Sequence, residues 1–433
     1  MAIDFSLEPE FQQQLEWIDD FVRREVEPLD ALFPEVDMTY DKANELCQGL
    51  VRPLQQQVKE RGLWAMHLPA SLGGMGIDNV HLAYVNEILG RTVWGPSVFG
   101  CQAPDSGNAE ILAHFGTAEQ RAEYLQPLLD GRISSTYAMT EPQGGADPFN
   151  FTCTAVRDGD DWVINGQKWF ASNYTMASFL IVMVITNPEV PVYHGASMIL
   201  VPKGTPGLEL IRAVAVGPEH GGGSHGYLQF TDCRVPATNL LGDEGSGFQI
   251  AQTRLGGGRL HHAMRTVGMC KWALDMMGER IVSRKTKGKP LADQQTVRHA
   301  FADTWIQLEQ FRLQVLHASW QCDRHGYDKA REYVAGIKVA TPKTMMDIAY
   351  RALHLHGSLG ASNEMPFHRL MLSGIALGLA DGPTEVHKDN LAKKLLKGYR
   401  PSPGLFPTAH LPTRVEAARE KYADYLEQHL ANA

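Results

Sequence analysis

The spacing of apolar residues changes twice along this chain, from helical to strand-like near Ile133 and back to helical after Gly247. Before the first change, Leu15, Ile18 and Val22 are three and four residues apart, as on one face of a helix. The central part has short apolar runs bounded by glycine and proline, which are typical of strands. An alternation of strands and helices would have favoured a parallel nucleotide-binding sheet. The order helix, strand, helix instead predicts an α+β protein.

The N-terminal part, residues 1–132, is predicted to be helical. Thr117 is followed three residues later by Gln120, which is a capping signal for the start of a helix. Pro28 and the segment 30–37 are expected to interrupt the first helix. The predicted helices cover residues 11–22, 42–61, 79–89 and 117–129.

The middle part, residues 133–244, is predicted to form a compact antiparallel sheet or small barrel. The apolar runs Phe179–Ile185 and 197–201 have the length of buried strands. Asn165-Gly166 is a strong hairpin signal, and it predicts a tight turn between two strands.

The C-terminal part, residues 245–400, is predicted to form a helical bundle because long segments again repeat apolar residues every three and four positions. Pro342 is expected to kink or break one of these helices. The tail, 401–433, carries a helix-prone stretch. The predicted helices of this half cover residues 267–281, 301–315, 329–354, 390–397 and 414–430.

Charge and composition exclude several classes of protein. A net charge of −9 and a pI near 6.0 argue against nucleic acid as a partner. No apolar run is long enough for a membrane span. The six cysteines are scattered without a Cys-x-x-Cys pair, and the N-terminus carries no signal-peptide pattern. A cytoplasmic location is therefore expected.

Two motifs suggest ligands that their context does not support. The segment from Gly221 to Gly226 matches G-x-G-x-x-G, but a strand is predicted after it where a dinucleotide site needs a helix. His261 and His262 are adjacent and point in different directions on a helix, so no metal site is expected there.

One carboxylate stands out in the C-terminal part. Asp381 ends an apolar run and is followed at once by Gly382 and Pro383, which end regular structure. A carboxylate at such a turn can lie at the wall of a cavity and act as a general base. It can equally serve as the N-cap of a helix that begins near Glu385. The local pattern leaves both interpretations open.

Several segments of this chain resemble the acyl-CoA dehydrogenase family, in the family's order and spacing over residues 8–397. The segments are YAMTEPQGGAD at 137–147, NGQKWFAS at 165–172, FTDCRVP at 230–236, LGDEGSGF at 241–248 and RKTKGK at 284–289. The runs RLGGGRLHHAMRTVG at 254–268 and ADGPTEVH at 380–387 resemble the branch of family members ten and eleven in particular.

The resemblance implies an N-terminal helical domain, a middle antiparallel β-domain and a C-terminal four-helix bundle. It implies an FAD-dependent enzyme that converts an acyl-CoA thioester to a trans-2-enoyl-CoA. Asp381 would remove the α-proton while the β-hydride passes to flavin N5. Electrons would leave to an electron-transfer flavoprotein, and the chain would form a homodimer or homotetramer.

The resemblance also assigns individual residues. Those expected to contact the flavin are Tyr137, Met139, Thr140, Gly145, Ala146, Phe170 and Ser172. Those expected to reach the FAD of a neighbouring subunit are Arg284, Thr286, Gln295, His354, Gly357 and Ser358. Thr384 and Glu385 are also expected near the cofactor, and Ala146, Arg259 and Gly382 near the substrate.

This chain departs from the common family pattern at the base. Most members carry Glu where this chain has Asp381, and some branches place the base at the position of Gly258. An Asp base is shared with nitroalkane oxidases, so a flavin oxidase or monooxygenase of the same superfamily is the alternative enzyme. An acyl-CoA-binding flavoprotein without turnover is the non-enzyme alternative.

Overall fold

The computed structural model describes residues 3–217 and 223–430. One compact unit ends at Lys388, and a second begins at Asp389. Part of the glycine-rich motif at 221–226 lies outside the described residues, and strand, not helix, follows it.

The N-terminal part is helical, as predicted. A predicted capping box is confirmed, because Thr117 accepts from the Gln120 N–H and the Gln120 side chain accepts from the Thr117 N–H. Pro28 does not interrupt the first helix, since a π-helical turn, Val22–Val26, leads into α2 with Pro28 in its first turn. The helices are α1 (Pro9–Phe21), α2 (Glu27–Leu32), α3 (Glu45–Glu60), α4 (Asn79–Leu89), α5 (Gly95–Val98), α6 (Asp105–Phe115), α7 (Ala118–Gln120) and α8 (Gln126–Leu129).

The middle part forms one sheet, with the strand order β6-β7-β3-β2-β4-β5-β8 among the described residues. Most neighbours are antiparallel, as predicted, but β4 pairs in parallel with β1 and with β2. The strands are β1 (Ser135–Ala138), β2 (Thr154–Asp158), β3 (Asp161–Ala171), β4 (Phe179–Ile185), β5 (Ala196–Pro202), β6 (Leu208–Val214), β7 (His225–Pro236) and β8 (Leu240–Leu241), with the short helix α9 (Val192–Gly195) before β5.

The predicted turn at Asn165-Gly166 is wrong, because both residues lie inside β3. The Asn165 amide bonds across to Asp232 on β7, with its Nδ2 donating to the Asp232 carboxylate and its Oδ1 accepting from the Asp232 N–H. Gly166 lies at a register shift with φ of +136°, and a Cβ there would be 2.6 Å from the Cys153 Cα. The dipeptide therefore forms a bulge in a continuous strand rather than a hairpin.

The C-terminal part is a bundle of long helices, as predicted. Pro342 lies inside α12, which runs unbroken, so the expected break is absent. The sequence pattern did not predict α13, although its buried residues Phe367, Leu370 and Gly374 are three and four positions apart. The elements of residues 245–400 are α10 (Gly247–Ser283), the hairpin β9 (Lys285–Thr286) and β10 (Lys289–Pro290), α11 (Gln295–His325), α12 (Tyr327–His356), α13 (Phe367–Leu379) and α14 (Thr384–Leu396). The tail contains α15 (Leu411–Lys421) and α16 (Ala423–Leu430).

A close crossing joins the N-terminal helices to the bundle. A Cβ at Gly90 would lie 2.2 Å from the Arg265 carbonyl oxygen, and a Cβ at Gly268 would lie 2.0 Å from that of Glu87. Only glycine permits backbones to approach this closely, so α4 and α10 are fixed against each other. No helix among the described residues is long and apolar enough to cross a membrane.

Candidate active site

The turn between α13 and α14 presents Asp381 in an unusual backbone conformation. Asp381 has φ of +56° and Gly382 has φ of +100°, a region that residues other than glycine adopt rarely. The Asp381 carbonyl oxygen accepts from Arg259 Nε at 3.0 Å and lies 3.1 Å from His387 Nε2. Such a conformation persists where surrounding contacts hold it, and it is common at functional sites.

Side chains also satisfy the carbonyl groups at the end of α13, just before this turn. Lys338 Nζ donates to the Leu377 carbonyl oxygen, and Thr384 Oγ1 donates to that of Gly378 at 3.2 Å. The last carbonyl groups of a helix have no intrahelical partner, so these bonds define where α13 ends. The backbone that carries the candidate base is thus held by residues of three different helices.

The Asp381 carboxylate itself accepts no hydrogen bond from the described residues. Its side chain is 15% exposed, and Oδ2 lies 3.8 Å from His262 Nε2. Burial lowers the pKa of His262, a shift that the Asp381 charge opposes. Because α14 begins at Thr384, Asp381 is not its N-cap.

Gly258 on α10 borders the same carboxylate. A Cβ at Gly258 would lie 3.1 Å from Asp381 Oδ2. The two positions at which family members were expected to carry the base are therefore adjacent in space. With glycine at one of them, the carboxylate at the other has room.

Tyr137, on β1 of the middle sheet, lies close enough to this turn to feel the charge of Asp381. The Arg254 guanidinium on α10 lies 4.0 Å from the centre of the Tyr137 ring, and its Nε donates to Asn108 Oδ1 at 2.8 Å. Burial raises the pKa of the Tyr137 hydroxyl, Arg254 opposes this shift, and the Asp381 charge adds to it. Tyr137 therefore lies within electrostatic reach of the candidate base.

The structure brings together the two segments predicted to hold the flavin. The Trp169 N–H donates to the Thr140 carbonyl at 2.8 Å, and Tyr137 pairs with Ser172. Beneath them, Lys168 Nζ donates to the Met139 carbonyl at 2.9 Å. It also forms a buried ion pair with Glu141 at 2.8 Å.

The Phe170 ring offers the flat surface that an isoalloxazine ring requires. Phe170 has φ of +57° and is 38% exposed, although it is a large apolar residue. Its inner face stacks on His225 at 4.5 Å, and His225 Nδ1 lies 2.9 Å from Ser172 Oγ. Together with the partly exposed Met139 and Thr140, this apolar wall with adjacent hydroxyls fits a flavin. Gly145 and Ala146 are exposed in the loop that follows.

The second predicted cofactor set lies elsewhere in the chain. Arg284 and Gln295 are exposed beside the β9–β10 hairpin, which contains Thr286. His354 lies in the last turn of α12 and Gly357 and Ser358 follow its end, and all three are exposed. At this end Arg280 Nη2 donates to the His356 carbonyl at 3.4 Å. Arg254 lies near the start of α10, and Arg284 comes 30 residues later, directly after the end of this helix. At the rise of an α-helix, the two residues are about 45 Å apart along its axis. One chain therefore does not bring the two sets onto one flavin.

Sequence reasoning missed several residues of this site. Lys338 is buried on α12, and Arg254 and His387 contact the site from α10 and α14. Glu110 on α6 lies 3.2 Å from where a Gly257 Cβ would be. A lysine on the apolar side of a predicted helix was the one local signal available for Lys338. Among the described residues, no group of three His, Cys, Asp or Glu could hold a metal ion.

Family comparisons cover most of the chain. The acyl-CoA dehydrogenase N-terminal domain matches residues 8–132, the middle domain matches 136–233 and the C-terminal domain matches 245–396.

Individual relatives agree with these matches. A probable acyl-CoA dehydrogenase, FadE2, of Mycobacterium tuberculosis is 39% identical over 90% of this chain and 96% of its own length. Acyl-CoA dehydrogenase family member 10 of Mus musculus is 38% identical over 90% of this chain, and member 11 of Homo sapiens is 39% identical over 80%. These two relatives are longer, since the matches cover 37% and 45% of them. The predicted resemblance to members ten and eleven is confirmed.

Solved structures show the same fold. A putative acyl-CoA dehydrogenase from Mycobacterium abscessus has a TM-score of 0.84 at 35% identity, over 91% of this chain and 100% of that one. Butyryl-CoA dehydrogenase from Megasphaera elsdenii has a TM-score of 0.76 at 27% identity, over 91% and 100%. The predicted fold class is confirmed by these matches. The chain belongs to the acyl-CoA dehydrogenase family of oxidoreductases, and its cofactor is FAD.

Proposed function

We propose that this chain converts an acyl-CoA thioester to a trans-2-enoyl-CoA, with Asp381 as the base. One observation carries the proposal: the Asp381 carboxylate is largely buried, yet accepts no hydrogen bond from the described residues. A buried carboxylate is normally satisfied by donors. One that is held by its backbone and left without donors is suited to take a proton from a ligand.

The backbone of the same residue supports the second requirement of this chemistry. Removal of the α-proton develops negative charge on the thioester oxygen, which needs a donor. The Asp381 N–H donates to no acceptor among the described residues. We assign it to that oxygen, so one residue supplies both the base and a donor to the charge that the base creates.

In the proposed reaction the α C–H bond breaks and its proton moves to an Asp381 carboxylate oxygen. The remaining electron pair forms the carbon–carbon double bond as the β-hydrogen leaves with its own pair. When bound, FAD supplies the acceptor for that hydride at N5. Phe170, Met139, Thr140 and Ser172 would hold its ring, and the buried Lys168–Glu141 pair would fix the backbone behind it.

Arg259 and Gly382 are assigned to the substrate side of the turn. The Arg259 guanidinium is committed through Nε to the Asp381 carbonyl, and its other nitrogens remain for the acyl-CoA. A Cβ at Gly382 would lie 2.9 Å from His387 Nε2, so this position excludes larger side chains beside the base. We also assign Gly145, Thr384 and Glu385 to the cofactor, and Ala146 to both cofactor and substrate.

We also propose that each complete site needs two chains. Arg284 lies about 45 Å along the axis of α10 from Arg254, the residue that contacts Tyr137, so it is too far away to serve the same FAD. Thr286 and Gln295 lie beside Arg284, and the segment 354–358 contacts Arg280 on α10 through the His356 carbonyl. The exposed members of this set, Arg284, Gln295, His354, Gly357 and Ser358, are free to reach a neighbour's FAD. A homodimer, or a tetramer of two dimers, would complete the site. Sedimentation of the holoprotein tests this, since a monomer with full FAD content and activity would contradict it.

The electron acceptor is proposed to be an electron-transfer flavoprotein, and the location is proposed to be the cytoplasm. All six cysteines are buried and unpaired, as is usual in a reducing compartment. Rapid reoxidation of reduced enzyme by air would instead favour an oxidase of the nitroalkane oxidase kind.

Anaerobic titration of the holoprotein with a panel of acyl-CoA thioesters tests the proposed reaction. At least one thioester should bleach the flavin absorbance and yield the matching enoyl-CoA. If no thioester reduces the flavin although several bind, the chain is an acyl-CoA-binding flavoprotein without turnover.

A further inference from the structure

Lys338 is a buried lysine with no role in the reaction described so far. It lies in the middle of α12 and is 4% exposed. Lysine is almost never fully buried unless it is paired. Its ammonium group donates to the carbonyl oxygen of Leu377, near the end of α13.

If α13 continued, the carbonyl group that Lys338 binds would accept the hydrogen bond from the Asp381 N–H. In an α-helix each N–H donates to the carbonyl four residues earlier, so Leu377 would accept from the Asp381 N–H. Lys338 takes that place, and the left-handed conformation at Asp381 carries the chain out of the helix. The Leu377 carbonyl is thus satisfied, while the Asp381 N–H has no acceptor in the part of the chain that the structure describes.

The charges around Lys338 come from three elements. Burial lowers the pKa of Lys338 to about 8, the charges of Asp381 and Glu385 oppose this shift, and Arg259 adds to it. His262 and His387 also face it, and the Lys338 charge helps to lower the pKa of each, although burial is the main cause for both. Both histidines are therefore neutral near pH 7. The carboxylates of Asp381 and Glu385 favour the ammonium form of Lys338.

We propose that Lys338 is a positioning residue for the catalytic turn. It anchors the Leu377 carbonyl, which leaves the Asp381 N–H for the thioester oxygen, and it keeps a positive charge beside the Asp381 carboxylate. This proposal rests on the proposed function for its effect on rate. The anchoring of the turn is independent of the substrate.

Three variants separate this role from general stability. Lys338→Met removes the charge and the donor, whereas Lys338→Arg keeps a charge that does not titrate below pH 12. Lys59→Met is the matched control, because Lys59 Nζ donates to the Asp130 carbonyl at 3.0 Å in the N-terminal part of the chain.

The first measurement is anaerobic flavin reduction by an acyl-CoA as a function of pH. Lys338→Met should lower the rate constant for reduction by about tenfold or more while FAD content and KM change little, since the loss concerns charge that develops in the reaction. In the wild type the rate should fall as pH rises through about 8, because Lys338 then loses its proton. Lys338→Arg should retain its rate at pH 9, and Lys59→Met should follow the wild type.

The second measurement is amide hydrogen exchange of the segment 378–388, which needs no turnover. Exchange should be at least several-fold faster in Lys338→Met than in the wild type, with Lys338→Arg close to the wild type. If no thioester reduces even the wild-type flavin, the proposed function fails. Amide exchange then still shows whether Lys338 anchors the turn. Wild-type exchange together with a wild-type pH profile in Lys338→Met would overturn the proposal. If Lys338→Met does not fold, the Lys338→Arg variant decides. The proposal is overturned if the reduction rate of Lys338→Arg falls above pH 8 as much as the wild-type rate does.

Discussion

A Cβ placed on Gly258 would lie 3.1 Å from the Oδ2 oxygen of Asp381. Gly258 is on α10 and Asp381 is in the turn after α13, so this approach depends on how the bundle packs. The Asp381 carboxylate fits in this space because position 258 is a glycine and carries no side chain. Position 258 is therefore a sensitive place at which to test the geometry of the base.

We expect Gly258→Ala to slow flavin reduction by about tenfold or more, because the added methyl group displaces the carboxylate and a misplaced group loses much of its catalytic effect. Gly256→Ala is the matched control, since its Cβ would meet Tyr327 at an ordinary 3.5 Å. Both changes should stabilise α10 by up to about 1 kcal/mol. Stopped-flow reduction and thermal unfolding of both variants check this, and equal rates in the two would contradict the geometry.

Glu110 is expected to make stability fall with rising pH. Burial raises the pKa of the Glu110 carboxyl to about 7, a shift that Arg254 opposes. The folded chain then holds a proton that the unfolded chain has lost between about pH 4.5 and pH 7, so stability decreases as pH rises through that window. Glu110→Gln should be more stable than the wild type at pH 8, by at most about 3 kcal/mol, and similar to it at pH 4.

Denaturant unfolding at a series of pH values measures this difference. Glu16→Gln serves as the control because Glu16 is exposed on α1. A pH dependence in Glu110→Gln that matches both the wild type and the control would show that Glu110 is ionised in the folded chain.

The Lys168–Glu141 pair is expected to support both folding and FAD binding. Both side chains are buried, at 0% and 1% exposure, and Glu141 also accepts from the N–H groups of Thr152 and Cys153. Lys168→Met leaves a buried carboxylate without its cation, which costs about 3–5 kcal/mol. It also removes the donor to the Met139 carbonyl, so FAD should dissociate more readily.

Unfolding midpoints and FAD retention on a desalting column check both effects. Lys343→Met breaks an exposed ion pair with Asp347 and should change stability by less than about 1 kcal/mol. A Lys168→Met protein as stable and as yellow as this control would show that the pair contributes nothing.

Regular patterns with clear ends were predictable from the sequence. Helix α4 and strand β4 lie where their apolar spacing and their flanking turn residues placed them. Asn165-Gly166 was misread because its amide has a partner, Asp232, on a strand that follows much later in the chain. Local turn preference cannot anticipate such a cross-strand bond. Helix α13 was missed because Gly374 and Gly378 lie within it, and glycine inside a helical pattern weakens the helical signal.

The candidate site was predictable only in part, for a related reason. Asp381 could be singled out because Gly382 and Pro383 follow it directly. Its environment could not, because Gly258 and Lys338 come from two other helices and meet it through packing. The separation of Arg284 from Tyr137 likewise became visible only with the length of α10. A role that depends on neighbouring residues in the chain can be predicted from the sequence. A role that depends on residues from different helices meeting in space can be assigned only from the fold.

Asp381 itself gives the most direct prediction. Asp381→Asn should slow flavin reduction by at least about 10²–10⁴-fold, the range typical of a general base, because an amide cannot take the α-proton. FAD content and acyl-CoA binding should be retained, since the Asp381 carbonyl that Arg259 binds is unchanged. Asp381→Glu should keep part of the activity, because it restores the commoner family residue in a site whose walls, such as Gly258, fit a shorter side chain.

Glu385→Gln is the control for this prediction. Glu385 is exposed in the first turn of α14. It is four residues after Asp381 and is the carboxylate nearest to it in sequence. Its loss should weaken FAD binding more than it slows the reduction step. Stopped-flow reduction of each variant, reconstituted with FAD and mixed with a saturating thioester, separates the two effects. Wild-type reduction in Asp381→Asn combined with slow reduction in Glu385→Gln would show that Glu385 is the base and that Asp381 only shapes the turn.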